Sequence, residues 1–181
     1  MNRLRQLLAN PELRKRLLFT LALLVVYRLG VHVSVPGVNT EALARNLNKA
    51  GDLLNVVDLF SGGAFKKFSV FALGITPYIT SSIVLQLMGA VVPQLEQLQK
   101  KEGEAGREKI NQWTRYLTII LAFFQGFGIA AMAQGMGVDV VANPGLGFKL
   151  LTAFTLAAGS VFVMWIGEQI TSRGVGNGIS L

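Results

Sequence analysis

The chain contains no cysteine and a single histidine, His32, among its 181 residues. Disulfides, cysteine nucleophiles and thiolate metal sites are therefore excluded, and no histidine cluster can assemble within the chain. Charge is scarce too, at 15% of residues, and long stretches carry none. No pair of carboxylates falls inside an apolar run, which argues against an intramembrane acid–base enzyme. The glycine-rich run at 174–178 is a poor phosphate cradle, because no strand precedes it and no lysine follows.

What remains is apolar. Hydrophobic residues make up 51% of the chain, with 20 glycines, and the charges cluster between uncharged runs. That is the pattern of an all-α, polytopic membrane protein. The net charge of +7 does not indicate direct nucleic-acid readout, because most basic residues flank apolar runs, as orientation signals do. The N-terminus is basic and then apolar without a small-residue cleavage site, so the first span is expected to be retained.

Residues 1–16 form an amphipathic lead-in, with Asn10 as N-cap and Pro11 at the first helical position. Span 1 is expected over residues 17–33. It carries Arg28, which either snorkels to the interface or faces protein. An outer segment follows over 34–67. Thr40 is expected to cap a short polar helix over 41–48, and Asp52 a second over 53–60. The second is too short to cross a bilayer, yet Leu53, Leu54, Val56, Val57, Leu59 and Phe60 make it mostly apolar. Such a helix lies on the interface, packs on protein or enters the membrane from one side. Ser61, Gly62 and Gly63 supply a flexible end.

Span 2 is expected as a helix over 68–92, uncharged and bent at Pro77. At 100° per residue, Ile75, Ile79, Ser82, Ile83 and Gln86 share one stripe, with Thr76 and Thr80 along its edge. Two readings fit. The polar groups bond to a neighbouring helix, or the face is turned to a polar, intermittently wet cavity in which Ile75 and Ile79 form an apolar constriction.

A charged loop is expected over 93–116, containing Lys100, Lys101, Glu102, Glu104, Arg107, Glu108 and Lys109. It reads as a solvated tip or as a partner-docking surface. Span 3 is expected over 117–136, with small residues Ala122, Gly126 and Ala130 spaced by four. An outer loop over 137–149 and span 4 over 150–167 follow, the latter with Ala153, Ala157 and Ser160 as a second small ridge. Residues 168–181 read as an inner loop leading into a further span beyond Leu181. Basic residues number eleven on the inner segments (Arg3, Arg5, Arg14, Lys15, Arg16, Lys100, Lys101, Arg107, Lys109, Arg115, Arg173) and five on the outer ones (Arg45, Lys49, Lys66, Lys67, Lys149). This bias puts both termini in the cytoplasm.

Several runs, in order and at matching spacing, resemble the SecY family, the central subunit of the bacterial protein-conducting channel. They are YRLG at 27–30, PG at 36–37, LFSGG at 59–63, FALGITPYI at 71–79, KEGEAGR at 101–107, QWTR at 112–115 and GEQITSRGVGNGIS at 167–180. The resemblance covers nearly the whole chain. It implies a ten-span fold of two inverted halves around an hourglass pore, of which this chain resembles spans 1–4 and the lead into span 5. It also implies a location in the bacterial plasma membrane with the N-terminus cytoplasmic.

By this resemblance, residues 53–67 form the plug, a half-helix closing the pore from outside. Leu53, Leu54, Val57, Leu59 and Phe60 belong to it, and Ser61, Gly62 and Gly63 form its hinge. Ile75 and Ile79 match two members of the pore ring. Thr80, Ile83, Gln86 and Leu87 match lateral-gate positions near a bound signal helix. Lys100, Lys101 and Arg107 lie in a region similar to the one that meets the motor ATPase SecA or the ribosome. The implied partners also include the small membrane subunits SecE and SecG, signal sequences, nascent chains and the lipid bilayer. No cofactor or metal is implied. Secondary transport remains an alternative, since broken helices and midplane polar groups also mark substrate sites. So does a structural bundle fragment without channel activity of its own.

Overall fold

The computed structural model describes residues 10–49, 62–93, 95 and 103–180. Its helices in chain order are α1 (Pro11–Gly30), α2 (Thr40–Lys49), α3 (Thr76–Val91), α4 (Gly103–Gly135) and α5 (Leu146–Arg173). Among the described residues there is no strand, only two isolated antiparallel bridges, Ser34 with Ser69 and Val38 with Val141. The fold is all-α, as the apolar patterning implies.

The α1 start follows its local sequence. Asn10 Oδ1 accepts from the Glu12 N–H at 3.2 Å, and Pro11 occupies the first turn, where a missing N–H costs nothing. For α2 the cap is Asn39, not Thr40. Asn39 Oδ1 accepts from the N–H groups of Glu41 at 3.1 Å and Ala42 at 3.3 Å, and Thr40 becomes the first helical residue. Ala42, Leu43 and Leu47 are buried against Val140 and Val141, while Glu41 and Arg45 face outward.

Two expectations need correction. The first is the continuous helix over 68–92 bent at Pro77. Residues 62–75 instead form successive turns, and α3 starts only at Thr76 with Pro77 in its first turn. The chain cannot hold a helix here, because Gly74 takes φ +54° and Phe68 φ +46°, both left-handed. Pro77, with its missing donor, is best accommodated at a helix start. The second is the charged loop. From Gly103 onward it is helical and runs unbroken into the apolar part of α4. Glu104, Ala105, Arg107, Glu108 and Lys109 are good helix formers, and an existing apolar helix supplies the nucleus. The 33 residues of α4 reach about 50 Å, well beyond a hydrocarbon core of about 30 Å.

α4 and α5 form the most extensive helix pair, lying antiparallel with Arg115 opposite Glu168 and Gly126 opposite Ala153. Both small-residue ridges are at this level of burial: Ala122, Ala130, Ala153 and Leu156 are fully enclosed. A Cβ on Gly126 would stand 3.1 Å from Ala153 Cα, tight enough that α5 would have to give by a few tenths of an ångström to admit it. By length and composition α4 and α5 are the two described helices able to cross a membrane. Their outer faces expose Ile120, Phe124, Leu151, Phe154 and Trp165, a surface suited to lipid and not to water.

Candidate functional site

The turns over 62–75 are held against the end of α1 by a short ladder. Val35 N–H donates to the Phe68 carbonyl at 2.9 Å and Val70 N–H to the Val33 carbonyl at 2.9 Å, while Ser69 Oγ donates to the Gly30 carbonyl at 3.0 Å. The Phe71 ring stacks between Tyr27 and Phe162, with centroids 5.6 and 5.9 Å away. Non-helical backbone is tolerated in an apolar bundle only where protein buries it and bonds its polar groups. Phe65, Phe68, Ala72 and Leu73 are all buried here.

This arrangement delivers Ile75 to the α3 N-cap, half-buried and packed near Phe71. Ile75 lines a cavity of about 600 Å³ together with Leu24, Tyr27, Leu73, Val163 and Ile170. Its walls come from α1, the turns, α5 and residues 178–180. The lining is largely aliphatic, with no carboxylate or cation among the described residues to hold an ion. Such a wall disfavours continuous water.

One turn into α3 the surface opens. Ile79, Ile83 and Leu87 are 40%, 51% and 64% exposed, and Gln86 is exposed beside them. The opposite face of α3, with Ser81, Leu85 and Gly89, is buried in the bundle. The structure thus brings Ile79, Ile83, Gln86 and Leu87 onto one outward face and places Ile75 apart from them in the cavity wall. Thr80 is half-buried. Among the described residues the bonds of these polar groups stay within α3: Thr80 Oγ1 donates to the Thr76 carbonyl at 3.0 Å, and Gln86 Nε2 to Ser82 Oγ at 3.1 Å.

At the other end of the turns, Gly62 and Gly63 take φ +63° and +85°, values that side chains rarely adopt. Arg28 Nη1 donates to the Gly62 carbonyl at 3.1 Å. Leu53, Leu54, Val57, Leu59, Phe60 and Ser61 lie outside the described residues, as do Lys100 and Lys101. Arg107 is exposed, on the second turn of α4. Among the described residues no group of three potential metal ligands occurs.

Two functional-looking contacts escaped sequence reasoning. Arg115 and Glu168 form a bidentate pair, with Nε–Oε1 and Nη2–Oε2 both at 2.9 Å, tying α4 to α5. Nothing in the local sequence pairs residues 53 apart. The Gly62 carbonyl as the target of Arg28 was equally invisible, although a lone charge in an apolar run is itself a signal.

Comparison with known proteins bears on these features together. A family model described as SecY matches residues 69–181. Among curated proteins, "Protein translocase subunit SecY" of Aquifex aeolicus is 47% identical over 98% of this chain and 43% of that relative. The proteins of the same name from Pseudomonas aeruginosa and Escherichia coli K12 are 51% and 47% identical over 94% of this chain, and 38% and 39% of their own lengths. The chain therefore spans about two fifths of these relatives. Among solved structures, "Sec61 in the Canine ribosome-channel complex from the endoplasmic reticulum" superposes with a TM-score of 0.64 at 17% identity, over 93% of this chain and 35% of that one. "The structure of a protein conducting channel" gives the same values. At that identity the two structures speak to the fold.

Proposed function

This chain belongs to the SecY family, and on that premise we propose that it forms the N-terminal part of a protein-conducting channel subunit in the bacterial plasma membrane. In this reading α1, the turns with α3, α4 and α5 make four crossings, and the N-terminus is cytoplasmic. The basic residues at the start of α1 and on the first turns of α4 support that orientation. The complete subunit passes secretory chains across the membrane and releases apolar helices sideways into lipid.

The observation that carries the reading is the division of labour at the start of α3. Ile75 sits in an aliphatic cavity wall, and Ile79, Ile83 and Leu87 follow on an outward apolar face. The first, with Ile79 at the head of that face, supports a role in a pore ring that excludes ions until a chain passes. The second supports a gate wall: an apolar signal helix laid along it buries both surfaces. Thr80 and Gln86 keep this wall hydrated at intervals. The family likeness assigns residues 53–67 to the plug, with Gly62 and Gly63 as its hinge. SecE and SecG complete the complex, and SecA or a ribosome meets the cytoplasmic start of α4, where Lys100, Lys101 and Arg107 provide positive charge. Directional movement draws its energy from such a partner, since no nucleotide-binding motif occurs in the sequence. Secondary transport is not favoured, because no carboxylate, lysine, arginine or histidine lines the cavity among the described residues.

Site-specific crosslinking tests the reading. In the full-length subunit, single cysteines at Ile75, Ile79 and Ile83 should crosslink to an arrested secretory chain, with Ile83 favouring its signal helix. Phe124, exposed on the outer side of α4, serves as the control that should stay unlinked. Absence of any Ile79 adduct while translocation is demonstrably stalled would sink the pore assignment.

A further inference from the structure

Residues 174–180 leave α5 and fold back against two helices. Gly174 ends α5, its N–H donating to the Ile170 carbonyl at 2.8 Å. The Val175 N–H donates to Thr20 Oγ1 on α1 at 3.0 Å, across 155 positions of the chain. The Gly178 N–H donates to Thr171 Oγ1 on α5 at 2.9 Å. Each hydroxyl is itself tied down: Thr20 donates to the Arg16 carbonyl at 3.0 Å and Thr171 to the Gly167 carbonyl at 2.9 Å. The hydroxyls of Thr80, Thr114, Thr118 and Thr155 turn back on their own helices in the same way. In Thr20 and Thr171 the oxygen also accepts a main-chain N–H from outside the helix, so its donor and an acceptor site are both used.

Three further observations single this arrangement out. Thr20 is the one buried residue of α1, while Leu17, Leu18 and Leu21 around it are exposed. A largely apolar helix thus turns a hydroxyl, and not a leucine, to the protein. The contact is close: a Cβ on Gly174 would stand 2.5 Å from Thr20 Oγ1, and one on Gly178 would run into the Gly167 carbonyl oxygen. Gly178, Ile179 and Ser180 also line the same cavity as Ile75. Asn177 braces that stretch, accepting from the Ile179 N–H on Oδ1 and from the Ser180 N–H on its carbonyl, both at 3.0 Å.

On the reading that this cavity is part of the path of a passing chain, we propose that Thr20 and Thr171 are its positioning residues. They hang residues 174–180 between α1 and α5 by one hydroxyl each, and so fix the wall that residues 178–180 contribute. The glycines of the segment have no side chain to bury, so apolar packing holds it weakly, and its N–H groups need partners inside an apolar bundle. The two hydroxyls supply them. Neither threonine need touch the passing chain.

The test uses the full-length subunit with its partner subunits in lipid nanodiscs, with Ser180→Cys as the sole cysteine. Its reaction with a small maleimide reads how often the segment leaves its seat. T20V and T171V keep side-chain volume and lose the hydroxyl. Each should speed labelling about fivefold, the effect of one hydrogen bond, and the double variant about thirtyfold, because one segment loses both holds. T20S and T171S keep the hydroxyl and should label at the parent rate. Packing alone would give the opposite order, since serine removes the methyl that valine retains. G174A reaches the same contact from the other partner and should match T20V, so it carries the test if T20V fails to accumulate. A parent-like rate in T20V or in T171V overturns the clamp. A separate form with a cysteine at Ile75 asks what the clamp serves. Its adduct with an arrested secretory chain should fall several-fold in the double valine variant, as the loosened wall no longer holds the chain beside it. Faster labelling with an unchanged adduct would overturn the role in the path. No adduct in the parent would sink the pore assignment and that role with it, while the labelling rates still decide whether the hydroxyls fix the segment.

Discussion

α4 and α5 meet through small residues, while α3 meets little on its outward side. Along the first pair, Ala122, Gly126 and Ala130 lie against Ala153 and Leu156 with essentially no exposed surface, and a bidentate ion pair joins the helices. Along α3, the residues of one whole face are exposed, and the backbone leading to it is a string of turns. Close backbone approach leaves no slack, so α4 and α5 are built to stay together. A helix held on one face through Ser81, Leu85 and Gly89 can shift at modest cost. The difference separates a packed frame from a face that stands open among the described residues.

The sharpest way to break this comparison is at Gly126. A valine there forces its Cβ to within 3.1 Å of Ala153 Cα and 3.2 Å of the Ala153 carbonyl oxygen, both backbone atoms that cannot step aside. The helices must separate, at a cost of about 2–3 kcal/mol. G126V should lower the thermal midpoint of the purified full-length complex and reduce its yield. Gly128, two residues on, has open space for a Cβ, and G128A should cost nothing measurable. Equal tolerance of both substitutions would mean that α4 and α5 are not the frame.

The opposite substitution sharpens the comparison from the other side. Ile79 is 40% exposed on α3, so Ile79→Asn removes little packing and should change stability by less than about 0.5 kcal/mol. If this face closes a constriction, the new amide should let water through. Resting conductance of the full-length channel should then rise on the order of tenfold, an effect of about 1.4 kcal/mol on the closed state. A variant that loses stability without leaking would place Ile79 in the frame instead.

How much of this was legible in the sequence follows the same division. The small-residue ridges, the α1 cap at Asn10 and the apolar runs were readable, because helical period and cap chemistry are local. The sharing of one stripe by Ile79, Ile83 and Gln86 was readable for the same reason, whereas Leu87 came only with the family resemblance and Ile75, placed on that stripe, stands apart before the helix begins. What failed was continuity. The 68–92 run is uncharged and apolar enough to suggest one helix, but its first eight residues are turns. Periodicity does not reveal that Phe68 takes positive φ, where its ring is buried in the core and its carbonyl accepts from the Val35 N–H. The charged stretch before Trp113 misled in the other direction, since helix propensity outweighed its loop-like glycines. Contacts between distant residues, such as Arg28 with Gly62, are long-range facts that no local pattern encodes.

The smallest expected effect concerns the ion pair of the frame. Arg115 and Glu168 meet in a fork at 2.9 Å, but their side chains are 49% and 25% exposed, so solvent screens much of the attraction. A double-mutant cycle with R115A, E168A and the double variant should give a coupling of about 0.5–1 kcal/mol in thermal or denaturant unfolding. The coupling should shrink as salt rises, because the pair sits where ions can reach it. R115K should recover only part of it, lacking the planar fork. A coupling near zero would leave the small-residue ridges as the whole of the frame. A coupling that persists at high salt would instead mean that the pair is sheltered in the working protein, covered on its open side by a surface belonging to the rest of the channel or to a partner.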